Sequence, residues 1–193
     1  MQCDWEIEIA SDAPVIDATW PGFIDLHRET SRAHELPEAT SLPALAHALI
    51  RLNSVDSSVW TSKFDVWPIP SLDDIGIDRF DLDAGTDETS ALVGCYIDLL
   101  PRSDQQWHLP ARVEHAARTI CTRLNPSPLI CCRIDLIARQ ALITPNLNHF
   151  GITAYIVACG HNADAARTAM SAALLALADA VITAADQTEA ESS

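Results

Sequence analysis

Acidic side chains recur on the strands that the sequence predicts for the core. One carboxylate from each strand is predicted to share a face of the sheet: Glu6, Asp65, Asp98 and Asp135. This follows because successive strand residues point to opposite faces, and the apolar neighbours of these acids are expected to face the helices. Lys63 and Arg133 are predicted to lie among them.

Two kinds of chemistry fit this acidic face. Converging carboxylates are what two-metal phosphoryl-transfer sites use, because two nearby cations need several oxygen ligands. The alternative is a solvated or partner-covered face on which Lys63 and Arg133 offset the acids in ion pairs. No glycine-rich phosphate loop or basic cluster accompanies the acids, which favours the second interpretation.

Cys159-Gly160-His161 is a second candidate for chemistry, because it joins a predicted strand to a predicted helix. A helix N-terminus lowers the pKa of a thiol, so Cys159 would be a reactive thiolate with His161 as its base. The alternative is a buried, inert cysteine, since cysteine is among the most buried residue types.

Metal sites have little support elsewhere in the chain. The acidic stretch at residues 69–90 contains glycine and many aspartates but lacks the order of an EF-hand loop. The cysteines and histidines show no CxxC or HxxxH spacing typical of zinc ligands. We therefore predict no cofactor, and a divalent metal on the acidic face stays the alternative.

Three apolar residues are candidates for an interface. On a helical projection Leu175 and Ile182 fall on the polar side of the last predicted helix, which points to a partner surface. Trp67 ends the second predicted strand and suits an interface if it shares the acidic face.

A pattern of helix followed by strand occurs twice in the chain. Residues 36–67 and 109–139 both begin with Leu-Pro, reach Arg-Leu-Asn at nearly the same distance, and enter a strand with a basic residue, an apolar residue and an aspartate. Duplication and coincidence are both open readings, because amphipathic helices that lead into strands resemble one another. The order of the elements does not depend on the choice.

The order strand, helix, strand, strand, helix, strand predicts an α+β protein with a ferredoxin-like split βαβ plait. We expect an antiparallel sheet with both helices on one face, extended by a C-terminal hairpin strand and a long alanine-rich helix. A single domain over residues 1–185 is predicted, with an irregular excursion at residues 10–40, an acidic loop at 69–90 and a polar tail at 186–193.

Composition limits the class of protein. With 193 residues, 48% of them hydrophobic, the chain is long and apolar enough to bury a core. A net charge of −15 would repel a phosphate backbone, so nucleic acid is not an expected partner. No signal peptide or long apolar run is evident, so we predict a cytoplasmic protein without a membrane association, whose six cysteines are free thiols.

These observations favour a soluble, acidic accessory protein that acts through protein–protein interaction or assembly, with a homodimer as one form. The alternative is a small enzyme or ligand-binding domain that uses the carboxylates of the open sheet face. The absence of a catalytic motif leaves the question of enzymatic activity open.

Overall fold

The computed structural model describes residues 1–8, 14–16, 23–70, 91–103, 106–128, 131–144 and 147–190. These residues form six strands: β1 (Gln2–Glu8), β2 (Val15–Ile16), β3 (Val59–Ile69), β4 (Ala91–Pro101), β5 (Cys132–Thr144) and β6 (Leu147–Gly160). The helices are α1 (Pro37–Ser41), α2 (Pro43–Leu52), α3 (Pro110–Leu124) and α4 (Ala163–Ala190), with a 3₁₀ turn at Thr30–Glu35. The α+β class is confirmed, whereas most of the acidic loop at residues 69–90 lies outside the described residues.

The strands form one mixed sheet in the order β1-β5-β6-β4-β3, and β2 pairs with β5 beyond the end of β1. The predicted strand order of the plait is not found. In that order the first strand lies between the third and fourth core strands, but here β6 occupies that position between β4 and β5, antiparallel to both. β1 lies at the edge and runs parallel to β5. β5 ends at Thr144 and β6 begins at Leu147, and these two residues pair with each other, so β6 lies directly beside β5.

The helices of the described part pack on one face of the sheet. α4 contacts β6 and lies between α2 and α3, and α3 also contacts β1. Among the largest fully buried side chains between the layers are Leu45, Leu49, Ile97, Ile134, Leu136 and Ile152. Burial of such a side chain contributes about 1.5–3 kcal/mol, so this layer is the main core of the fold.

Proline sets the start of three helices. Leu36-Pro37, Leu42-Pro43 and Leu109-Pro110 each place proline in the first turn, where its missing N–H has no helical partner to lose. Ser41 ends the first of these helices and donates its hydroxyl to the carbonyl of Glu38 at 3.0 Å.

α4 has an apolar ridge that faces the sheet. Met170, Leu174, Leu177 and Val181 are all buried against the sheet. By length and composition alone Ala163–Ala184 also qualifies as a membrane-spanning helix, contrary to the prediction that no apolar run is long enough. Burial of this ridge in the core accounts for the apolar composition of the helix.

Candidate functional site

The pairing register aligns five side chains straight across the face of the sheet that lies opposite the helices. This row, called the central row below, consists of Asp4, Asp135, Tyr155, Tyr96 and Asp65. Two tyrosines occupy the middle strands and carboxylates lie on both sides of them. We call this surface the open face, since the described helices pack on the other side.

Aromatic rings lie beside one another across β3, β4 and β6, and an arginine of β5 follows them. The ring centroids of Trp67 and Tyr96 lie 6.2 Å apart, as do those of Tyr96 and Tyr155. The guanidinium of Arg139 lies 5.7 Å from the Tyr155 ring centroid and donates to the Tyr155 hydroxyl at 3.3 Å. Such ring spacings are within the range of favourable aromatic contacts, so these side chains form a continuous platform.

Arginines tie two carboxylates of the open face in place. Arg133 donates from Nε to both oxygens of Asp135 at 2.9 Å, two residues along the same strand. Arg139 of β5 donates to Glu8 of β1 at 2.7 Å. Arg133 thus offsets Asp135 within one strand, and Arg139 offsets Glu8 across two paired strands.

The predicted acidic residues share one face but do not converge. Asp65 and Asp135 stand in the same row with Tyr155 and Tyr96 between them, three strand spacings apart, or about 14 Å. Metal ions of a two-metal site are only about 3.5–4 Å apart. β6 occupies the position between β4 and β5 that was predicted for β1, so Tyr155 and not Glu6 lies between Asp135 and β4. Among the described residues no group of three or more His, Cys, Asp or Glu side chains is placed to hold a metal ion.

Asp98 is the most buried of these acids, with 8% of its surface exposed. Burial raises its pKa above the ordinary value, although a hydrogen bond from Thr153 at 2.7 Å and the charges of Lys63 and Arg139 oppose the shift. A register shift in β3 places Lys63, the only lysine of the chain, opposite Asp98. Asp98 is therefore a buried carboxyl group that accepts a hydrogen bond from Thr153 of β6 and lies near the charge of Lys63 of β3.

Replacing Asp98 with asparagine is expected to raise the free energy of unfolding at neutral pH by about 1 kcal/mol. A carboxyl whose pKa is raised in the folded state stabilises the fold below its unfolded pKa, and this stabilisation is lost as the pH rises through the folded pKa. The advantage of Asp98→Asn should therefore be largest at neutral pH and absent below the unfolded value of 3.8. Urea denaturation across this range measures it.

Asp65→Asn is the matched control, because Asp65 is exposed on the same face. It should change the free energy of unfolding by less than about 0.5 kcal/mol. An advantage of Asp98→Asn that does not vary with pH would contradict the assignment of a desolvated charge at this position.

A groove of about 540 Å³ crosses the open face. Its described lining includes Asp4, Glu6, Trp67, Arg133, Asp135 and Tyr155. Three of these side chains are carboxylates and one is a guanidinium, so the groove favours a positively charged occupant. Aromatic faces and carboxylates together suit a guanidinium or ammonium group.

The surroundings of Cys159 oppose the predicted thiolate. Cys159 is 2% exposed, and its burial and the neighbouring Cys131 raise its pKa to about 12. Cys159 is the next-to-last residue of β6, while His161 follows that strand and is exposed. The thiol is thus buried beside another thiol and not activated.

Trp67 lies on the open face, as the interface prediction requires, with its indole over Gly94. Leu175 and Ile182 of α4 are half-buried, and they lie away from this face in the helical layer. Between them Asp179 pairs with Arg51 of α2 at 2.5 Å. The two predicted interface patches are therefore on opposite layers of the molecule.

Sequence reasoning missed the two central tyrosines and Arg139. Tyr96 and Tyr155 each follow the alternation of their strands, so their face was predictable, but their adjacency depends on the β4–β6 pairing. It also missed His149, which is 4% exposed and whose ring nitrogens have no hydrogen-bond partner within the part of the chain that the structure describes. No local pattern marks that residue.

Comparison of the chain with models of known protein families, with curated proteins and with solved structures finds no significant match. Inference about function therefore depends on the open face itself.

Proposed function

We propose that this protein is a non-catalytic interaction protein that binds a basic, extended segment of a partner protein on its open face. The observation that carries the proposal is the central row, in which aromatic rings are flanked by carboxylates over the groove. Trp, Tyr and Arg are the residues enriched at interaction hot spots, and all three occur here.

The size and charge of the surface support this class of partner. The central row crosses four strand spacings, about 19 Å, which matches roughly six residues of extended chain. The whole chain carries a net charge of −15, which favours encounter with a basic partner. A second copy of this chain fits less well, because face-to-face pairing would bring acidic groups together.

Hexa-arginine and hexa-glutamate peptides, each carrying a fluorophore, test the proposal by anisotropy with the full chain. We expect the arginine peptide to bind and the glutamate peptide not to bind, with affinity falling as salt increases. Trp67→Ala should weaken binding about tenfold, since it removes the main aromatic wall. Light scattering of the same samples shows whether the protein is a monomer or self-associates.

A charge-matched pair of variants separates the groove from general acidity. Glu6→Gln removes a charge that lines the groove, and Asp56→Asn removes one from an exposed position outside the groove lining. Only Glu6→Gln should weaken binding. Equal losses in both variants, or full affinity in Trp67→Ala, would show that the peptide binds by charge alone and would overturn the proposal.

A further inference from the structure

Two cysteines lie opposite each other where β5 begins and β6 ends. The register that pairs Cys132 with Ala158 continues to Cys131 and Cys159, and the backbone N–H of Cys159 donates to the carbonyl of Cys131 at 2.8 Å. The side chain of Cys131 is also close enough to that of Cys159 to raise the pKa of Cys159. Directly paired residues of this kind have Cα atoms about 5.5 Å apart, which is within the range that a disulfide spans.

The two members of the pair differ in access. Cys159 is 2% exposed, whereas Cys131 is half-buried and therefore reachable from solvent. Cys131 also has a φ of 64°, a left-handed conformation that residues other than glycine adopt rarely and that often marks a functional position. Both cysteines pack with Trp67, Ile69 and Val157 on the open face.

We propose that Cys131 and Cys159 form a dithiol site that exchanges with small disulfides of the glutathione type and closes to an intramolecular disulfide. The Cys131 thiolate attacks one sulfur of oxidised glutathione, which releases one glutathione thiolate and leaves a mixed disulfide on Cys131. The Cys159 thiolate then attacks the sulfur of Cys131 and releases the second glutathione thiolate. Two protein thiols are oxidised, one disulfide is reduced to two thiols, and the two thiol protons go to the released glutathiones.

Burial affects the second step more than the first. Since the pKa of Cys159 is raised to about 12, little of this thiol is ionised at neutral pH and ring closure is slow. The rate of closure should therefore increase as the pH rises. The proposal does not depend on the binding of a partner to the open face.

The chain provides a control pair of thiols. Cys121 donates its thiol to the carbonyl of Cys3 at 2.9 Å, but Cys3 and Cys121 are 6% and 5% exposed in the core. Because oxidised glutathione cannot reach either thiol, this pair should stay reduced although its two side chains are close together. Comparing the two cysteine pairs therefore shows whether solvent access, and not distance alone, decides which pair is oxidised.

The experiment is incubation of the full, folded chain with oxidised glutathione, followed by intact-mass measurement and protease mapping under non-reducing conditions. We expect a mass loss of two hydrogens and a linked peptide that joins Cys131 to Cys159. Cys159→Ser should stop at a glutathione adduct on Cys131, Cys131→Ser should not react, and Cys121→Ser should behave as the unchanged protein. A linkage of Cys131 to Cys132, a glutathione adduct that persists in the unchanged protein even when the pH is raised, or no reaction would overturn the proposal.

Discussion

Replacing Asn53 with alanine is expected to lower the free energy of unfolding by about 3 kcal/mol, because three buried hydrogen bonds depend on this side chain. Its Nδ2 donates to the carbonyl of Leu49 at 2.8 Å and to the hydroxyl of Thr61 at 2.7 Å, and its Oδ1 accepts from the N–H of Thr61 at 2.9 Å. Asn53 is 1% exposed and Thr61 is 3% exposed. Water therefore cannot replace the missing partner without opening the junction of α2 and β3.

Thermal and urea denaturation measure this effect. For a chain of this size the loss corresponds to a fall in Tm of roughly 6–12 °C. Asn125→Ala is the matched control, because Asn125 ends α3 as Asn53 ends α2 but is exposed. It should cost about 1 kcal/mol. Equal costs for the two variants would show that burial does not decide the contribution of these asparagines.

The two asparagines also show what the repeated sequence pattern does and does not predict. Asn53 accepts from the backbone of Thr61 in β3, the next strand along the chain. Asn125 accepts from the N–H of Cys3 at 2.9 Å, in β1 at the other end of the chain. The same local motif therefore connects one helix to the strand that follows it and the other helix to the first strand of the chain. Such a motif predicts where a helix ends, but it does not predict which strand the helix end contacts.

The same limit explains the outcome for the acidic face. Alternation along each strand correctly assigned Asp65, Asp98 and Asp135 to one face, because the side-chain period of a strand is local. The residues that lie between these acids depend on which strands are neighbours. β6 lies between β4 and β5 because it pairs with β5, the preceding strand, and also with β4, which is distant in sequence. Composition and periodicity contain no direct information about that order. Because of this strand order, Tyr96 and Tyr155 lie between the carboxylates, and the face carries aromatic rings and ion pairs instead of a cluster of acids.

Cys159 illustrates a further physical limit. A cysteine between a strand and a helix is compatible with either activation by the helix or burial in the sheet. Cys159 is buried in the sheet, where it packs with Ile69, Leu92 and Val157. Its thiol is therefore not activated, because desolvation disfavours the thiolate. These contacts come from three different strands, so a pattern within one segment cannot predict them.

Replacing Gly160 with alanine is expected to lower the free energy of unfolding by about 3 kcal/mol, near the upper end of the usual cost of overpacking. A Cβ at this position would lie 2.7 Å from the carbonyl carbon and 2.7 Å from the Cβ of Ala165, and closer still to the backbone nitrogen of Ala166. These atoms belong to the first turn of α4, which is held between α2 and α3. The clash is therefore relieved only by moving the central helix of the layer, and urea denaturation should detect the loss.

Gly94→Ala is the informative comparison, because its Cβ would approach Trp67 as closely, at 2.6 Å from Cε2 and 2.7 Å from Cζ2. The indole is a half-buried side chain on the open face, so it can rotate away while the backbone stays in place. Stability should then change by less than about 1 kcal/mol, while binding of the arginine peptide weakens with the displaced ring. We expect the cost of an added Cβ to depend on whether the atoms that it meets can move away. A large loss of stability in Gly94→Ala, or no loss in Gly160→Ala, would contradict this expectation.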